Sequence, residues 1–364
     1  MPTTIWEPTT DQILDLDGVR HRIDKFKFYL MDRELSPIGQ LHPDSASTPQ
    51  IQNDTSDNTS RRLTGLKLTP DEAADVNTLS DRIRVYMQLQ NGADFLLGTF
   101  LWADDSRPQR SWGIEQHAEL VDFSYILNQP SANAYGFSKG ANIMLIIFFL
   151  MFRAGFELND IAVLGDEAAR GLADAKAWEP GTTWMQMLTD LGGLVGFISP
   201  WFDRNGRCHF DQPPDPELDE PTVPAYEAGT RVIADSIVHS DDMLSAPNVF
   251  SVYDSGTDRL RSGRYDIPSS APHSYAKRGF EIAQVESVQG IDNQTLANRA
   301  AKNLARSGSA FEWLTFNSTA DPRHETLDVV DAFGERWLET AWSLELRSGG
   351  QMQHTMKRVS YATV

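Results

Sequence analysis

The residues best suited to metal or acid–base chemistry are eight histidines and one cysteine, Cys208, and they are scattered along the chain. The segment DPRHETLDV places His324 beside Glu325. A zinc-protease helix needs a second histidine four residues after the first, and that position holds Asp328. The proline and arginine just before His324 favour a turn that enters a strand. The spacing therefore predicts neither a metal centre nor a catalytic histidine here.

Other short motifs match binding signatures only in part. The segment DLDGV (Asp15–Val19) resembles the start of a calcium loop, but it lacks the third acid and the closing bidentate glutamate. It is interpreted as a polar turn. Lys139 in GFSKGAN lacks the strand and the glycine spacing that would cradle a phosphate. We predict no catalytic residue, no cofactor site and no metal site.

Carboxylate pairs are the groups that glycoside hydrolysis would use. Two pairs, Glu119/Asp122 and Asp166/Glu167, are candidates in sequence. Such chemistry needs two carboxyls about 5–10 Å apart across a sugar cleft. The sequence does not set that distance, so the pairs are interpreted as surface carboxylates.

Tryptophans could line a sugar-binding groove, since their faces pack on apolar sugar surfaces. Trp184 lies on the apolar face of a predicted helix, and Trp342 lies on that of a predicted hairpin. Both are expected in cores. The tryptophans left open as exposed candidates are Trp102, Trp112 and Trp201.

The composition describes an acidic chain, with a net charge of −19 and a mean hydropathy of −0.39. Residues 157–220 hold thirteen acids against four bases, a net charge of −9. Because phosphate recognition needs clustered Lys and Arg, no nucleic-acid-binding surface is predicted. A single cysteine excludes an internal disulfide. The N-terminal residues lack the basic and apolar regions of a signal peptide, so none is expected.

Ten uninterrupted apolar residues, Ile143–Phe152, stand out from this polar background. As a helix they would rise about 15 Å, half the hydrocarbon thickness that a membrane-spanning helix crosses. Arg153 closes the run, and Lys139 precedes it. A helix that is apolar all round is buried in its own module or against a neighbour. We expect such burial and no stable membrane insertion.

Hydrophobic periodicity predicts mostly antiparallel strands over the first ~130 residues. Ile83, Val85, Met87 and Leu89 alternate with polar residues before Asn91–Gly92, which is typical of a hairpin. The polar segment 42–60 is expected to be a long mobile loop. The segments with strand patterns are 19–31, 82–102 and 111–123.

The middle of the chain has a different pattern. Residues 182–197 predict an amphipathic helix capped by Thr182 or Thr183, and Asn205–Gly206 predicts a second hairpin turn. Strand patterns then return and end in a hairpin over 335–359. In that hairpin Leu338, Trp342, Leu344 and Leu346 lie on the apolar face, while Glu339 lies on the polar one. One further helix is predicted over 293–308.

These patterns predict an α+β fold that is mainly antiparallel β. We expect two β-barrel-like tube domains that flank a small α+β module. The expected boundaries are 1–130 for the N-terminal β-rich domain, 131–228 for the peripheral module, and 229–364 for the C-terminal β-rich domain with one helix.

Several long segments resemble the minor tail proteins of phages that infect actinobacteria. In the first half these are residues 61–102, beginning RRLTGLKL, and residues 111–130, beginning SWGIEQHAEL. In the second half they are 232–255, 265–290 and 309–359, the last beginning SAFEWLTF. The order and length of these segments carry the resemblance, since none of them is a catalytic signature.

The resemblance implies the tail hub, a virion protein at the tip of the tail tube that is made in the host cytoplasm. It implies a homotrimer whose two β domains per chain give a ring of pseudo-sixfold symmetry. Its implied partners are the distal tail protein ring, the tape measure protein and the tip or receptor-binding proteins. DNA would pass through the ring without specific binding. The family's hub portion has no catalytic residues.

Two other functions stay open at this point. One is a tail-associated cell-wall glycan hydrolase, and the other is a carbohydrate-binding adsorption module. The last hub-like hairpin ends close to Val364, so no appended lytic or lectin domain is expected.

Overall fold

A computed structural model describes residues 24–57, 59–89, 92–106, 109–110, 113–114, 116–216, 219–227, 231–233, 235–241, 244–253, 262–287, 298, 301, 304 and 310–359. The calcium-like segment Asp15–Val19 lies outside these residues. So do Trp112 and most of the helix predicted over 293–308.

The N-terminal part of the chain is built from antiparallel strands. They are β1 (Lys25–Met31), β2 (Pro37–Leu41), β3 (Gln50–Asp54), β4 (Arg61–Leu68), β5 (Arg82–Gln88), β6 (Asp94–Ser106), β7 (Gln109–Arg110), β8 (Gly113–Ile114) and β9 (Gln116–Val121), with one short helix, α1 (Pro70–Ala74). The predicted hairpin is confirmed as β5–β6. Ile83, Val85 and Met87 are fully buried, as their alternation predicts.

The prediction of a long loop over 42–60 is wrong, because strand β3 lies within it. Ile51 and Asn53 point inward and are buried, while Gln52 between them is exposed. Five residues with two inward side chains give too weak a periodic signal to stand out from polar neighbours. The strand forms because β4 supplies hydrogen-bond partners on one side and the C-terminal strand β21 supplies them on the other.

The middle of the chain forms a compact α+β module around its own apolar cluster. Its elements are α2 (Ser124–Leu127), β10 (Tyr135–Phe137), α3 (Ile143–Ala154), β11 (Ile161–Leu164), β12 (Lys176–Trp178), α4 (Trp184–Val195), β13 (Trp201–Phe202) and β14 (Cys208–Phe210). The predicted amphipathic helix is confirmed as α4, with Met187, Leu188 and Leu191 fully buried. The predicted hairpin turn at Asn205–Gly206 is confirmed between β13 and β14.

The predicted helix within the apolar run is confirmed as α3, which begins after Asn142 and ends at the left-handed Gly155. Five of its residues are buried in the module. A second face is not: Leu145, Phe149 and Phe152 are 66%, 43% and 71% exposed. The module therefore buries one face of α3 and leaves the opposite apolar face exposed. Among the described residues, no helix is long and apolar enough to cross a membrane.

The two threonines before α4 differ in what their hydroxyls do. The Thr183 hydroxyl accepts from the backbone N–H of Gln186 at 3.1 Å, which makes Thr183 the N-cap. The Thr182 hydroxyl instead donates to the exposed carbonyl of Glu179. We expect Thr183→Ala to lower the free energy of unfolding by about 1 kcal/mol. Thr182→Ala is the matched control and should change it by less than about 0.5 kcal/mol. Urea denaturation of both variants measures this, and equal losses would contradict the assignment of the cap.

The C-terminal part returns to strands. They are β15 (Val238–Asp241), β16 (Val249–Tyr253), β17 (Ser262–Asp266), β18 (Ala283–Ser287), β19 (Ala310–Thr319), β20 (Val329–Ala332), β21 (Glu335–Glu345) and β22 (Gln351–Val359). A short helix, α5 (Tyr275–Arg278), lies between β17 and β18, and the described residues 298, 301 and 304 are also helical. The predicted hairpin over 335–359 is confirmed as β21–β22. Strands β16, β17 and β18 form a separate small sheet.

One large sheet joins both ends of the chain. Its strands run in the order β15-β19-β22-β21-β3-β4-β9-β6-β5-β1-β2, and β20 pairs with β21 beside this path. Strands β3 and β21 form the seam, with antiparallel pairs from Ala341↔Asp54 to Glu345↔Gln50. The α+β, mainly antiparallel class is confirmed. Within the described residues the sheet is open and does not close into a barrel.

Candidate functional site

The loop between β19 and β20, residues 320–328, is where the three parts of the chain meet. We call it the junction loop. It contains His324 and Glu325, the adjacent pair that partly matches a zinc-protease motif in the sequence. The two side chains do not act together, because each belongs to a different buried polar cluster.

The first cluster joins Glu325 to two arginines from distant parts of the chain. Arg61 on β4 donates through Nη2 to one carboxylate oxygen, and Arg204 in the β13–β14 turn donates through Nε to the other. The Arg61 side chain is 2% exposed, and that of Arg204 is 11% exposed. A single carboxylate thus connects the N-terminal strands, the middle module and the junction loop.

Arg204 strengthens this connection through its remaining donors. Its Nη1 and Nη2 atoms donate to the carbonyls of Pro322 and Arg323, both at 2.6 Å. Its own carbonyl accepts from the Thr99 hydroxyl on β6 at 2.9 Å. The turn of the middle hairpin is therefore held between the N-terminal sheet and the junction loop.

The electrostatics of Glu325 follow from these contacts. Burial raises the pKa of its carboxyl, but the charges of Arg204 and Arg61 outweigh burial and hold the pKa at about 2. Glu325 is thus ionised at neutral pH. Removing it would leave two arginines buried without their shared counter-charge.

The second cluster lies inside the C-terminal strands and centres on Glu339 of β21. Its carboxylate meets Nδ1 of His324 through one oxygen and Nδ1 of His354 through the other, the latter at 2.6 Å. On their far sides, His324 Nε2 lies 2.7 Å from the Tyr226 hydroxyl, and His354 Nε2 lies 2.8 Å from the Ser318 hydroxyl. All five side chains belong to buried residues.

The pKa directions in this second cluster reflect burial and opposite charge. Burial opposes ionisation of Glu339, but His324 and His354 hold its pKa below the usual range. Burial also opposes protonation of His324, yet the Glu339 charge raises the pKa of that imidazole. For His354 burial dominates and lowers the pKa. Burial raises the pKa of Asp328 to about 6.

The hairpin pattern placed Glu339 on a polar face, and that prediction is wrong. The residue is 1% exposed. Val223 and Tyr226 pack with Trp337 of this hairpin in an apolar cluster. The Tyr226 ring also lies against His324 and His354, the two histidines that contact Glu339. The strand register also shifts between Glu339 and Ala341, which interrupts the alternation that holds further along β21. Neither feature is visible in the periodicity of one strand.

The carboxylates of Glu119 and Asp122 do not share one environment, as a glycosidase couple across a cleft would. Glu119 is exposed on β9, whereas Asp122 is buried and accepts hydrogen bonds from the hydroxyls of Ser60 and Ser124. Asp166 is exposed, and the side chain of Glu167 lies outside the described part of the chain. Burial raises the pKa of Asp122, which those hydrogen bonds partly oppose.

Lys139 and its neighbours do not form a site of their own. The Lys139 side chain is 74% exposed and pairs with Asp174 at 3.4 Å. Residues 136–140, GFSKG, also have the Gly-x-Ser-x-Gly spacing of a nucleophile elbow. Ser138 is exposed, and in the described part of the chain no hydrogen bond joins its hydroxyl to a histidine. The segment therefore has the spacing of a nucleophile elbow, but among the described residues no histidine base contacts Ser138.

The expectation that Trp184 and Trp342 lie in cores holds fully for Trp342 and in part for Trp184. Trp342 is buried in the sheet core, and Trp184 is partly buried against Tyr135. Trp102 packs against the N-terminal core. Trp201 stacks on His209 with ring centroids 4.1 Å apart, and it lines a cavity of about 550 Å³. Of the described sugar-groove candidates, Trp201 alone lines that cavity.

Three solved structures share this architecture over nearly the whole chain. A tail protein from Neisseria meningitidis MC58 has a TM-score of 0.63 at 13% identity, covering 93% of this chain and 98% of that one. The 43 kDa tail protein of prophage MuSo2 from Shewanella oneidensis has a TM-score of 0.62 at 12% identity, covering 91% and 98%. The chain has the fold of phage tail proteins.

A third structure agrees with these two. Prophage tail protein gp18 from Listeria monocytogenes EGD-e has a TM-score of 0.58 at 12% identity, covering 92% of this chain and 95% of that one. No protein-family model and no curated protein matches the sequence. The similarity to these tail proteins is therefore one of fold, at sequence identities of 12–13%.

Proposed function

We propose that this chain is the hub of a phage tail, a structural virion protein at the tip of the tail tube. The observation that carries the proposal is a fold shared with a bacterial tail protein along 93% of this chain and 98% of that one. In this role the chain joins the distal tail protein ring to the tip or receptor-binding proteins and contacts the tape measure protein. We propose no enzymatic activity, so purified peptidoglycan should remain uncleaved.

The proposed assembly is a homotrimer in which each chain supplies two ring positions. Residues 1–130 and 229–364 would provide the two β-rich domains, and 131–228 would lie at the periphery. Among the described strands, the path of the large sheet ends at β2 on one side and at β15 on the other. Each edge exposes an apolar side chain, Ile38 at 55% and Val238 at 56%. Unpaired edges invite strand pairing with another chain, and a closed ring satisfies them without continued growth.

The charge of the chain supports a conduit that does not retain DNA. Proteins that bind DNA tightly use Lys and Arg to displace the counterions of its phosphates. This protein has a net charge of −19 and is expected to repel phosphates instead. We propose that the side chains facing the channel are acidic or neutral, and that residues 157–220 lie away from it. The DNA then passes without specific binding.

Edge substitutions test the proposed ring. We expect Ile38→Lys and Val238→Lys to leave the melting temperature of the isolated chain nearly unchanged, because both positions are exposed. The same variants should reduce the yield of complete tails at least about tenfold, since charged edge residues oppose strand pairing. Leu79→Lys is the matched control, because Leu79 is 91% exposed and lies outside the strands.

The readout is the count of complete tails by negative-stain microscopy after complementation of a particle that lacks its own copy. Normal tail yield with both edge variants would contradict the edge-paired ring. Absence of the chain from purified particles by mass spectrometry would contradict the virion role itself.

A further inference from the structure

The carboxylate of Glu339 faces two buried histidines at once, one on each oxygen. The Ser318 hydroxyl lies 2.8 Å from both the carbonyl of Thr319 and Nε2 of His354. When its single proton goes to the carbonyl, the hydroxyl accepts from Nε2 of His354. In that tautomer a neutral His354 has a bare lone pair on Nδ1. That lone pair faces a Glu339 oxygen at 2.6 Å.

Two lone pairs at this separation repel, so either a proton or a metal ion lies between them. A proton there leaves either an imidazolium beside the carboxylate or a neutral Glu339 beside a neutral His354. Nδ1 of His324 contacts the other oxygen of the same Glu339 carboxylate. The two imidazole rings have centroids 4.8 Å apart, so charging both of them would place like charges side by side in a buried space.

We propose that His324, Glu339 and His354 bind one divalent transition-metal ion, of which zinc is the best match. The ligand atoms of these three buried residues all lie within 4.8 Å of one another. Two imidazole nitrogens with carboxylate oxygen form a donor set that suits zinc. One doubly charged ion in this position would contact the Glu339 carboxylate and both imidazoles with no proton on either facing nitrogen.

A fourth ligand is available on the same side. The Asp328 carboxylate, also buried, lies 3.8 Å from Nδ1 of His324. Neighbouring ligand atoms of a tetrahedral zinc site lie about 3.4 Å apart, as zinc–ligand bonds of 2.0–2.2 Å require. Shifts of less than about 1 Å would bring these donors to that geometry. Two carboxylates then balance the charge of the ion within the buried cluster.

The outer nitrogens already have the partners that metal-bound histidines need. A histidine that binds metal through Nδ1 donates its Nε2 proton to an acceptor that fixes the ring. Ser318 provides that acceptor for His354, and Tyr226 provides it for His324. The ion would tie the junction loop, which carries His324 and Asp328, to the β21–β22 hairpin.

The test uses the full chain, purified without chelators or a polyhistidine tag. We expect elemental analysis to find about one zinc ion per chain. After removal of the metal by a chelator, added Co²⁺ should give the visible absorption of a tetrahedral site, and added Zn²⁺ should raise the melting temperature. Glu339→Gln should abolish both responses.

Two further variants keep the test decisive if Glu339→Gln does not fold. Ser318→Ala removes the hydroxyl that contacts His354 Nε2 and the Thr319 carbonyl, but none of the proposed ligands. It should weaken Co²⁺ binding about 10–100-fold while leaving a folded protein. His209→Asn is the matched control and should bind Co²⁺ as the wild type does, because His209 is a partly buried histidine beside Asp203, outside the cluster. A wild-type chain without metal, with the same melting temperature in Zn²⁺ as in chelator, would overturn the site. Equal loss of Co²⁺ binding in His209→Asn would overturn it as well.

Discussion

Replacement of Glu325 by alanine is expected to lower the free energy of unfolding by about 3–5 kcal/mol. The reason is that Arg61 and Arg204 would both remain buried without the carboxylate they share. Trp342, whose ring lies 5.7 Å from the Arg61 guanidinium, cannot replace that charge. Equilibrium denaturation in urea measures the loss.

The matched control is Glu345→Ala, which removes an exposed carboxylate from its pair with Arg347. Exposed ion pairs contribute about 0–1 kcal/mol, so this variant should lie close to wild type. If the two substitutions cost the same, Glu325 is not a structural connection between distant parts of the chain.

Replacement of Gln52 by proline is expected to be at least as damaging, with a loss of about 3 kcal/mol or more. Gln52 lies in the middle of β3, which pairs with β4 on one side and β21 on the other. Proline removes a ladder donor from an inner strand and leaves a carbonyl on the neighbouring strand unpaired. Because β3 forms the seam of the sheet, amide hydrogen exchange should rise in both β4 and β21.

Gln52→Val is the control for that experiment. The side chain of Gln52 is exposed, and valine keeps the backbone donor while favouring strand geometry. We expect near wild-type stability and exchange. Rapid exchange confined to β3 in the proline variant, with β21 protected, would contradict the continuous sheet.

The elements that could be predicted from the sequence are those whose signal is local. Strand β5 shows strict alternation, and α4 has both a capping threonine and a helical apolar face. Strand β3 is five residues long with a single apolar side chain, and one of its two partners, β21, comes from the other end of the chain. The exposed face of α3 was also unpredictable, because a run that is apolar all round does not show which side the module covers.

The candidate site was hidden for a similar reason. The bond from Arg61 to Glu325 spans 264 residues, and that from Arg204 spans 121. A zinc-protease motif places both histidines on one helix, so the spacing after His324 carries no sign of ligands on other strands. The structure instead brings His354 from β22 and Glu339 from β21 to the junction loop. Such convergence depends on strand order, which periodicity does not encode.

The proposed hub can be tested with a map of the phage tail at a resolution that traces strands. We expect this chain to form a closed trimer around the tail axis, next to the distal tail ring. Each copy should place both of its strand-rich parts, 1–130 and 229–364, in the ring. Six copies per ring, or a single copy away from the axis, would contradict the proposal that this chain is the hub.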